Sequence, residues 1–165
     1  MLAVDNSRKF RSLMSRFVTG VTVIAVPHAD EQDQVVAMTA SSVTSVSLNP
    51  LLLLFCVRNE SRLLPHLRAA GTFSVNILAS HQDDVSRFYG GQESMGAQGE
   101  WQMQACSAPT LAGANAAFVC RVEDLRAFGD HHVVIGEVTD MLSADPPSPA
   151  LIYAAGKYMG VELHA

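Results

Sequence analysis

The chain has 165 residues, of which 48% are apolar and only 16% charged, with a formal net charge of −5. That length predicts one domain over residues 1–165, and the apolar share excludes the disordered class. Only two lysines occur, Lys9 and Lys157, which excludes a broad basic face for nucleic acid, and so little charge over so much apolar content points to surface hidden in an oligomer.

Phe10, Leu13, Met14, Phe17 and Val18 recur at the spacing of an amphipathic helix, with Asn6 or Ser7 able to cap it and Thr19-Gly20 to stop it. Arg8, Lys9, Arg11 and Arg16 fall on the same segment and read as its solvated face. Residues 21–26 are β-branched and predict a strand, 27–34 a polar turn, and 35–43 the hairpin partner. The apolar run 51–57 has no period of two and predicts a strand buried on both faces. Ser61 can cap a short helix, with Pro65 near its first turn and Gly71 beyond its end. Residues 73–78 alternate and predict a strand with one wet face. Ser80 with Asp83 resembles a capping box and opens a helix to about Phe88. Residues 90–99 read as a loop, 101–103 as a short strand, 116–122 and 131–138 as strands, 145–149 as a rigid turn and 151–153 as a last strand. About eight short strands joined by turns, with three helices appended, predict a mainly β chain closed into an antiparallel barrel rather than a doubly wound sheet.

Cys56, Cys106 and Cys120 have no CxxC spacing; Cys56 and Cys120, in apolar strand-like runs, read as small buried hydrophobes of a reducing, cytoplasmic compartment. The N-terminus lacks the apolar core of a signal peptide, and no apolar run approaches the roughly 20 residues of a membrane-spanning helix. GxGxxG, P-loop, GxSxG and HExxH motifs are all missing. The histidines are scattered apart from His131-His132, and neighbours on a strand point to opposite faces, so no metal site is expected. Any chemistry must then arrive with a ligand. Six of the thirteen residues from Met38 to Pro50 carry hydroxyls: Thr39, Ser41, Ser42, Thr44, Ser45 and Ser47. That run reads either as an edge strand and turn or as one wall of a polar ligand site.

Four pieces stand in a fixed order: the hydroxyl run closed by Asn49-Pro50; Cys56-Val57-Arg58-Asn59-Glu60-Ser61, where a strand gives way to a helix; Gln82 with Arg87-Phe88; and Gly129-Asp130-His131-His132 leading into Ile135-Gly136-Glu137-Val138. With Phe17-Val18-Thr19-Gly20-Val21-Thr22-Val23 before them, they resemble the short-chain flavin reductase family, which includes the reductase components of two-component flavin monooxygenases. The resemblance extends from about Phe10 to Tyr158.

It implies an FMN-binding split β-barrel, antiparallel and of Greek-key type, with a few appended helices and usually homodimeric. It implies an NAD(P)H:flavin oxidoreductase that reduces FMN or FAD with NADH or NADPH and supplies a partner monooxygenase. Carried over by position, Thr39, Ala40, Ser41, Ser42 and Ser45 would meet the flavin ring and ribityl chain, with Ser47 toward the phosphate or supporting the loop. Arg58, Ser61 and Arg62 would sit at the phosphate, beside a helix N-terminus. Arg87 and Phe88 would pack near the flavin, and Tyr158 would stack at the site or close the barrel. His131 would be the catalytic residue, placed at the nicotinamide and oriented by Asp130, while His132 is structural. Surface ion pairs for the arginines, a core anchor for Phe88 and a turn histidine for His131 are the competing readings. Asn49-Pro50 replaces a frequent Asp-Pro, Val43 a frequent Phe, and residues 90–99 lack basic and aromatic groups common there, leaving flavin preference open. The alternatives on the same barrel are a non-catalytic flavin-binding or sensor protein, and an oxidase of the pyridoxamine-phosphate type, against which Gly129-Asp130-His131 weighs.

Overall fold

The computed structural model describes residues 2–31, 34–103 and 108–163; Cys106 lies outside them. Along the chain come α1 (Leu2–Met14), β1 (Thr19–Gly20), β2 (Thr22–Pro27), β3 (Val35–Ala40), β4 (Thr44–Leu48), β5 (Leu51–Arg58), α2 (Leu63–Ala70) and β6 (Thr72–Ile77). A 3₁₀ turn (Ser80–Gln82), α3 (Asp83–Tyr89), a second 3₁₀ turn (Glu93–Met95), β7 (Trp101–Gln102), β8 (Thr110–Leu111), β9 (Ala116–Phe128), β10 (His131–Ser143), β11 (Ala150–Ala154) and β12 (Lys157–Val161) complete it.

Seven strands form one antiparallel sheet in the order β3-β2-β6-β9-β10-β5-β4. Its two edge strands, β3 and β4, are consecutive in the chain and joined only by residues 41–43. Four Cα steps span at most about 15 Å. The edges of a flat seven-stranded sheet would stand about 29 Å apart. The sheet must therefore curl until its edges nearly meet, which makes a barrel split between β3 and β4. β1, β11 and β12 form a separate three-stranded sheet, and β7 pairs with β8.

Two cores explain why β2 is buried along almost its whole length. Ile24 and Val26 face a first core with Phe55, Phe73, Val75 and the buried Leu63, Leu64 and Leu67 of α2. Phe55 and Phe73 meet there edge to face, 5.1 Å between ring centres. Val21 and Val23 face a second core with Leu78, Val85, Leu111 and Leu151, against which Tyr153 and Tyr158 pack. The second core holds α3 and the β11–β12 hairpin against the β2–β3 side of the barrel.

Several expectations need correction. β5 is not buried on both faces; its residues alternate between buried and half-buried. β6 has no wet face, because its polar residues are paired inside: Asn76 Nδ2 donates to Val23 O at 3.0 Å, and Asn76 Oδ1 accepts the Leu111 N–H at 2.9 Å. The helix expected over the segment ending at Val18 starts nearer the N-terminus and ends at Met14; its residues 6–14 are exposed or nearly so, Phe10 at 65%. The capping role given to Ser80 belongs to Gln82, whose Oε1 accepts the Ala79 N–H at 3.0 Å. β9 and β10 each run to thirteen residues, and β4, β8 and β12 were not foreseen as strands of their own. No helix among the described residues is long and apolar enough to cross a membrane.

Candidate functional site

The hydroxyl-rich run lies at the split. Residues 41–43 belong to neither the β2–β3 ladder nor the β4–β5 ladder. Hydroxyls stitch the crossing together. Thr22 Oγ1 donates to Ala40 O at 2.7 Å, and Thr39 Oγ1 donates to Ser86 O of α3 at 2.7 Å. Ser42 Oγ accepts the Cys56 N–H at 3.0 Å and donates to Cys56 O at 3.4 Å, standing in for a strand pair where the ladder is open. Ser41 is exposed, and its hydroxyl has no protein partner among the described residues.

A trough of about 560 Å³ opens over this crossing. Met38, Thr39, Ala40, Ser41 and Ser42 form one side of it; Cys56, Arg58 and Ser61 come from the end of β5 and the approach to α2; Tyr89 and Gly90 come from the end of α3, and His131 from the start of β10. Gly90 is needed where α3 meets β3, because a Cβ there would stand 2.9 Å from Ser86 O. Tyr89 is fixed by its hydroxyl, which accepts Trp101 Nε1–H at 2.9 Å.

His131 stands opposite Arg58 in the β5–β10 ladder, and its Nδ1 lies 2.7 Å from Asp130 Oδ1. A carboxylate only accepts, so Nδ1 carries the proton and Nε2 is left to meet a ligand. The turn before it requires a left-handed backbone at Gly129, φ +62°. Asn59 braces that turn: its backbone N–H donates to Asp130 O and its Nδ2 to Gly129 O, each at 3.1 Å. The hydrogen bond from His131, then its charge and that of Arg58, hold the Asp130 carboxyl below the usual carboxylate range. His132 points elsewhere, its Nε2 accepting from Arg68 Nη2 at 3.0 Å, and its buried Nδ1 has no partner among the described residues.

Of the residues singled out from the sequence, Thr39, Ala40, Ser41, Ser42, Arg58, Ser61 and His131 share this trough, with Asp130 directly behind His131. Ser45 and Ser47 do not line it. They belong to β4, where Ser45 pairs with Leu53 and Ser47 Oγ accepts the Asn49 N–H at 3.1 Å. Arg62 and Phe88 line an adjoining trough. Arg87 is held by Asp83 at 3.5 Å and lies 4.9 Å over the Tyr158 ring. The Tyr158 hydroxyl is 2.8 Å from Ser86 Oγ, and its ring packs on Tyr153. Arg87 and Tyr158 thus brace α3 and do not line the main trough, although Tyr158 shares a smaller cavity of about 150 Å³ with Thr39 and Ser41. Met38, Cys56, Tyr89 and Gly90 were not anticipated there; the Tyr89-Gly90 pair directly after Arg87-Phe88 was the signal that could have found two of them.

The profile described as "Flavin reductase like domain" matches residues 14–162. The chain is 36% identical over 165 residues to "Flavin-dependent monooxygenase, reductase subunit HsaB" of Mycobacterium tuberculosis, covering 98% of this chain and 86% of that protein. It is 32% identical over 155 residues to "NADH-dependent flavin reductase" of Rhodococcus sp., covering 93% and 85%. Among solved structures, "Flavin reductase PheA2 in native state" superposes with a TM-score of 0.84 at 32% identity, covering 94% of this chain and 98% of that one.

Proposed function

Because the chain belongs to the flavin reductase family, we propose that it reduces FMN or FAD with NADH or NADPH as hydride donor and passes the reduced flavin to a partner monooxygenase. The relatives named as a monooxygenase's reductase subunit and as NADH-dependent support both halves of that reading. The observation that carries it is the meeting of the Asp130–His131 pair, 2.7 Å apart, with the open crossing at residues 41–43 on one trough.

The residues fit such ligands. The trough, at about 560 Å³, is within the size range of small-molecule sites. Its rim offers an unpartnered Ser41 hydroxyl and a crossing whose backbone belongs to no ladder, suited to the neutral polar edges of a flavin. A bound flavin supplies a ring that accepts hydride from reduced nicotinamide. Thr39, Ala40, Ser41 and Ser42 would hold that ring and its chain; Arg58 and Ser61 would hold a phosphate. His131 orients the nicotinamide through Nε2, and Asp130 keeps its tautomer. Ser45, Ser47, Arg62, Arg87, Phe88 and Tyr158 act through packing or in the adjoining trough.

One domain carries the reaction, in the cytoplasm, and a homodimer covers the apolar surface left bare: Phe10, Leu13, Met14 and Phe17 along and after α1, and Leu48, 85% exposed, on edge strand β4. The test mixes purified protein with NADH or NADPH and an excess of FMN, FAD or riboflavin, and follows absorbance at the nicotinamide band. Multiple turnovers per protein are expected; flavin retained without nicotinamide oxidation would leave only a binding or sensor protein. Light scattering on a sizing column reads the dimer.

A further inference from the structure

His131 does not stand alone at the edge of the trough. It lies opposite Arg58 in the β5–β10 ladder and opposite Phe128 in the β9–β10 ladder. Residues directly opposite one another on antiparallel strands send their side chains to one face, with Cβ atoms about 4.5–5.5 Å apart. Arg58, His131 and Phe128 therefore form one row on one face of the sheet. Arg58 and His131 line the trough, so that face is the trough's own. The next row on it is Cys56, Val133 and Arg126, and Cys56 lines the trough as well. The row between them, Val57, His132 and Ala127, takes the opposite face, where Val57 is fully buried in the first core.

Phe128 is the one apolar member of its row, and the fold makes no use of it. It belongs to neither core and is 61% exposed. Its backbone is nonetheless fixed, because it ends β9 at the two-residue Gly129-Asp130 turn that Asn59 braces. Its ring is also open. Arg126, two residues back on the same face, is held along its own strand by Asp124 at 2.7 Å. Among the described residues the cation seated over an aromatic ring is Arg87 on Tyr158, not Arg126 on Phe128. A free aromatic ring on a fixed backbone, next to a histidine that orients a flat ligand, offers that ligand a stacking surface.

The reaction sets a demand that such a ring meets. The donor's C4–H bond breaks and the hydride carries both electrons to the flavin, so the nicotinamide ring turns from neutral to cationic. A cation is drawn to the face of an aromatic ring, whereas an aliphatic side chain of similar bulk offers only apolar area. We propose that Phe128 is a further residue of the nicotinamide site: it packs on the ring that His131 orients and holds that ring more tightly as the cation than in the neutral form. This rests on the reductase function proposed above.

The test titrates NAD+ by calorimetry into protein saturated with oxidised FMN, where no reaction occurs, and measures KM for NADH and FMN affinity beside it. Phe128→Leu keeps apolar bulk without the aromatic face. It should weaken NAD+ about twofold to fivefold while KM for NADH stays near wild type. Phe128→Ala loses the bulk as well and should weaken both. Phe128→Trp should hold NAD+ at least as tightly as wild type. FMN affinity and melting temperature should stay near wild type throughout, since the side chain is exposed. NAD+ affinity unchanged in both Phe128→Leu and Phe128→Ala overturns the proposal, and so does equal weakening of NAD+ and NADH in Phe128→Leu. A lower mass for Phe128→Ala on a sizing column overturns it too, by placing the ring in a subunit interface. NADH oxidation that all variants share with wild type removes Phe128 and leaves the reductase; NAD+ binding that depends on Phe128 without NADH oxidation removes the reductase and leaves Phe128.

Discussion

Asn59 holds the turn that carries Asp130 twice over, through its backbone N–H to Asp130 O and its side-chain amide to Gly129 O, both at 3.1 Å. The turn orients His131, so Asn59 is a positioning residue one step removed from the ligand. Asn59→Ala keeps the backbone bond and loses the amide bond. KM for NADH should rise about threefold to tenfold, with flavin affinity within twofold and little loss of thermal stability, since the side chain is exposed. Steady-state kinetics beside flavin titration checks this; equal changes in both constants would mark Asn59 as merely structural.

His131 and Asp130 make a pH-dependent pair. The folded Asp130 carboxyl is held below its ordinary value, first by the hydrogen bond from His131. A depressed folded value means the pair's contribution is present above the unfolded Asp value, about 3.9, and is lost as pH falls through the folded value. Thermal melts from pH 6 downward should show that acid-side increment in wild type and lack it in Asp130→Asn. His131→Ala should raise KM for NADH more than it weakens flavin binding; unchanged NADH kinetics would remove His131 from the site.

Tyr158 meets Ser86, a fully buried serine whose Oγ is 2.8 Å from the Tyr158 hydroxyl. Tyr158→Phe strands that Oγ without its partner and should cost about 1–3 kcal/mol. Adding Ser86→Ala removes the stranded group, so the double variant should melt above Tyr158→Phe alone. The Thr39 bond to α3 uses the Ser86 carbonyl and survives both changes. Strictly additive losses in denaturant titrations would show that the two hydroxyls do not depend on each other.

The barrel was legible because β-branched and aliphatic runs mark strands whatever their partners, and those strands follow one another through turns rather than crossover helices; the short link between Ala40 and Thr44 that forces closure was not. Two-sided burial was not legible for β6: Ser74 and Asn76 read as a wet face until Pro109 for Ser74, and Val23 and Leu111 for Asn76, all far away in sequence, supply their partners. β4 was hidden inside the hydroxyl run, since Ser and Thr serve equally in an edge strand and in a ligand wall. The run divides: Thr39 to Ser42 reach the trough, while Ser45 and Ser47 belong to the strand. The site's His131 depended on the family resemblance, because one histidine after a turn has no distinguishing pattern.

Gly136 marks where β10 passes over the first core. A Cβ there would overlap the Phe73 ring edge, with Cε1 at 2.8 Å and the Cys120 Cβ at 3.1 Å. Both neighbours are fully buried, so neither can move aside cheaply. Gly136→Ala should destabilise by about 1–3 kcal/mol. A melting temperature equal to wild type would mean the core repacks without penalty.

Cys56 of β5 and Cys120 of β9 flank β10 on its two sides yet should differ in reactivity. Burial pushes the Cys120 thiol up to about 12, so at pH 8 it holds its proton and no thiolate is present to attack. Cys56 is half-buried and lines the trough beside Ser42 and Arg58. Iodoacetamide should therefore modify Cys56 and spare Cys120, read peptide by peptide in a mass spectrometer, and saturating flavin should slow the Cys56 reaction several-fold by covering it. Labelling of Cys56 at one rate with and without bound flavin would place the ligand outside this trough, and with it the role given to residues 39–42.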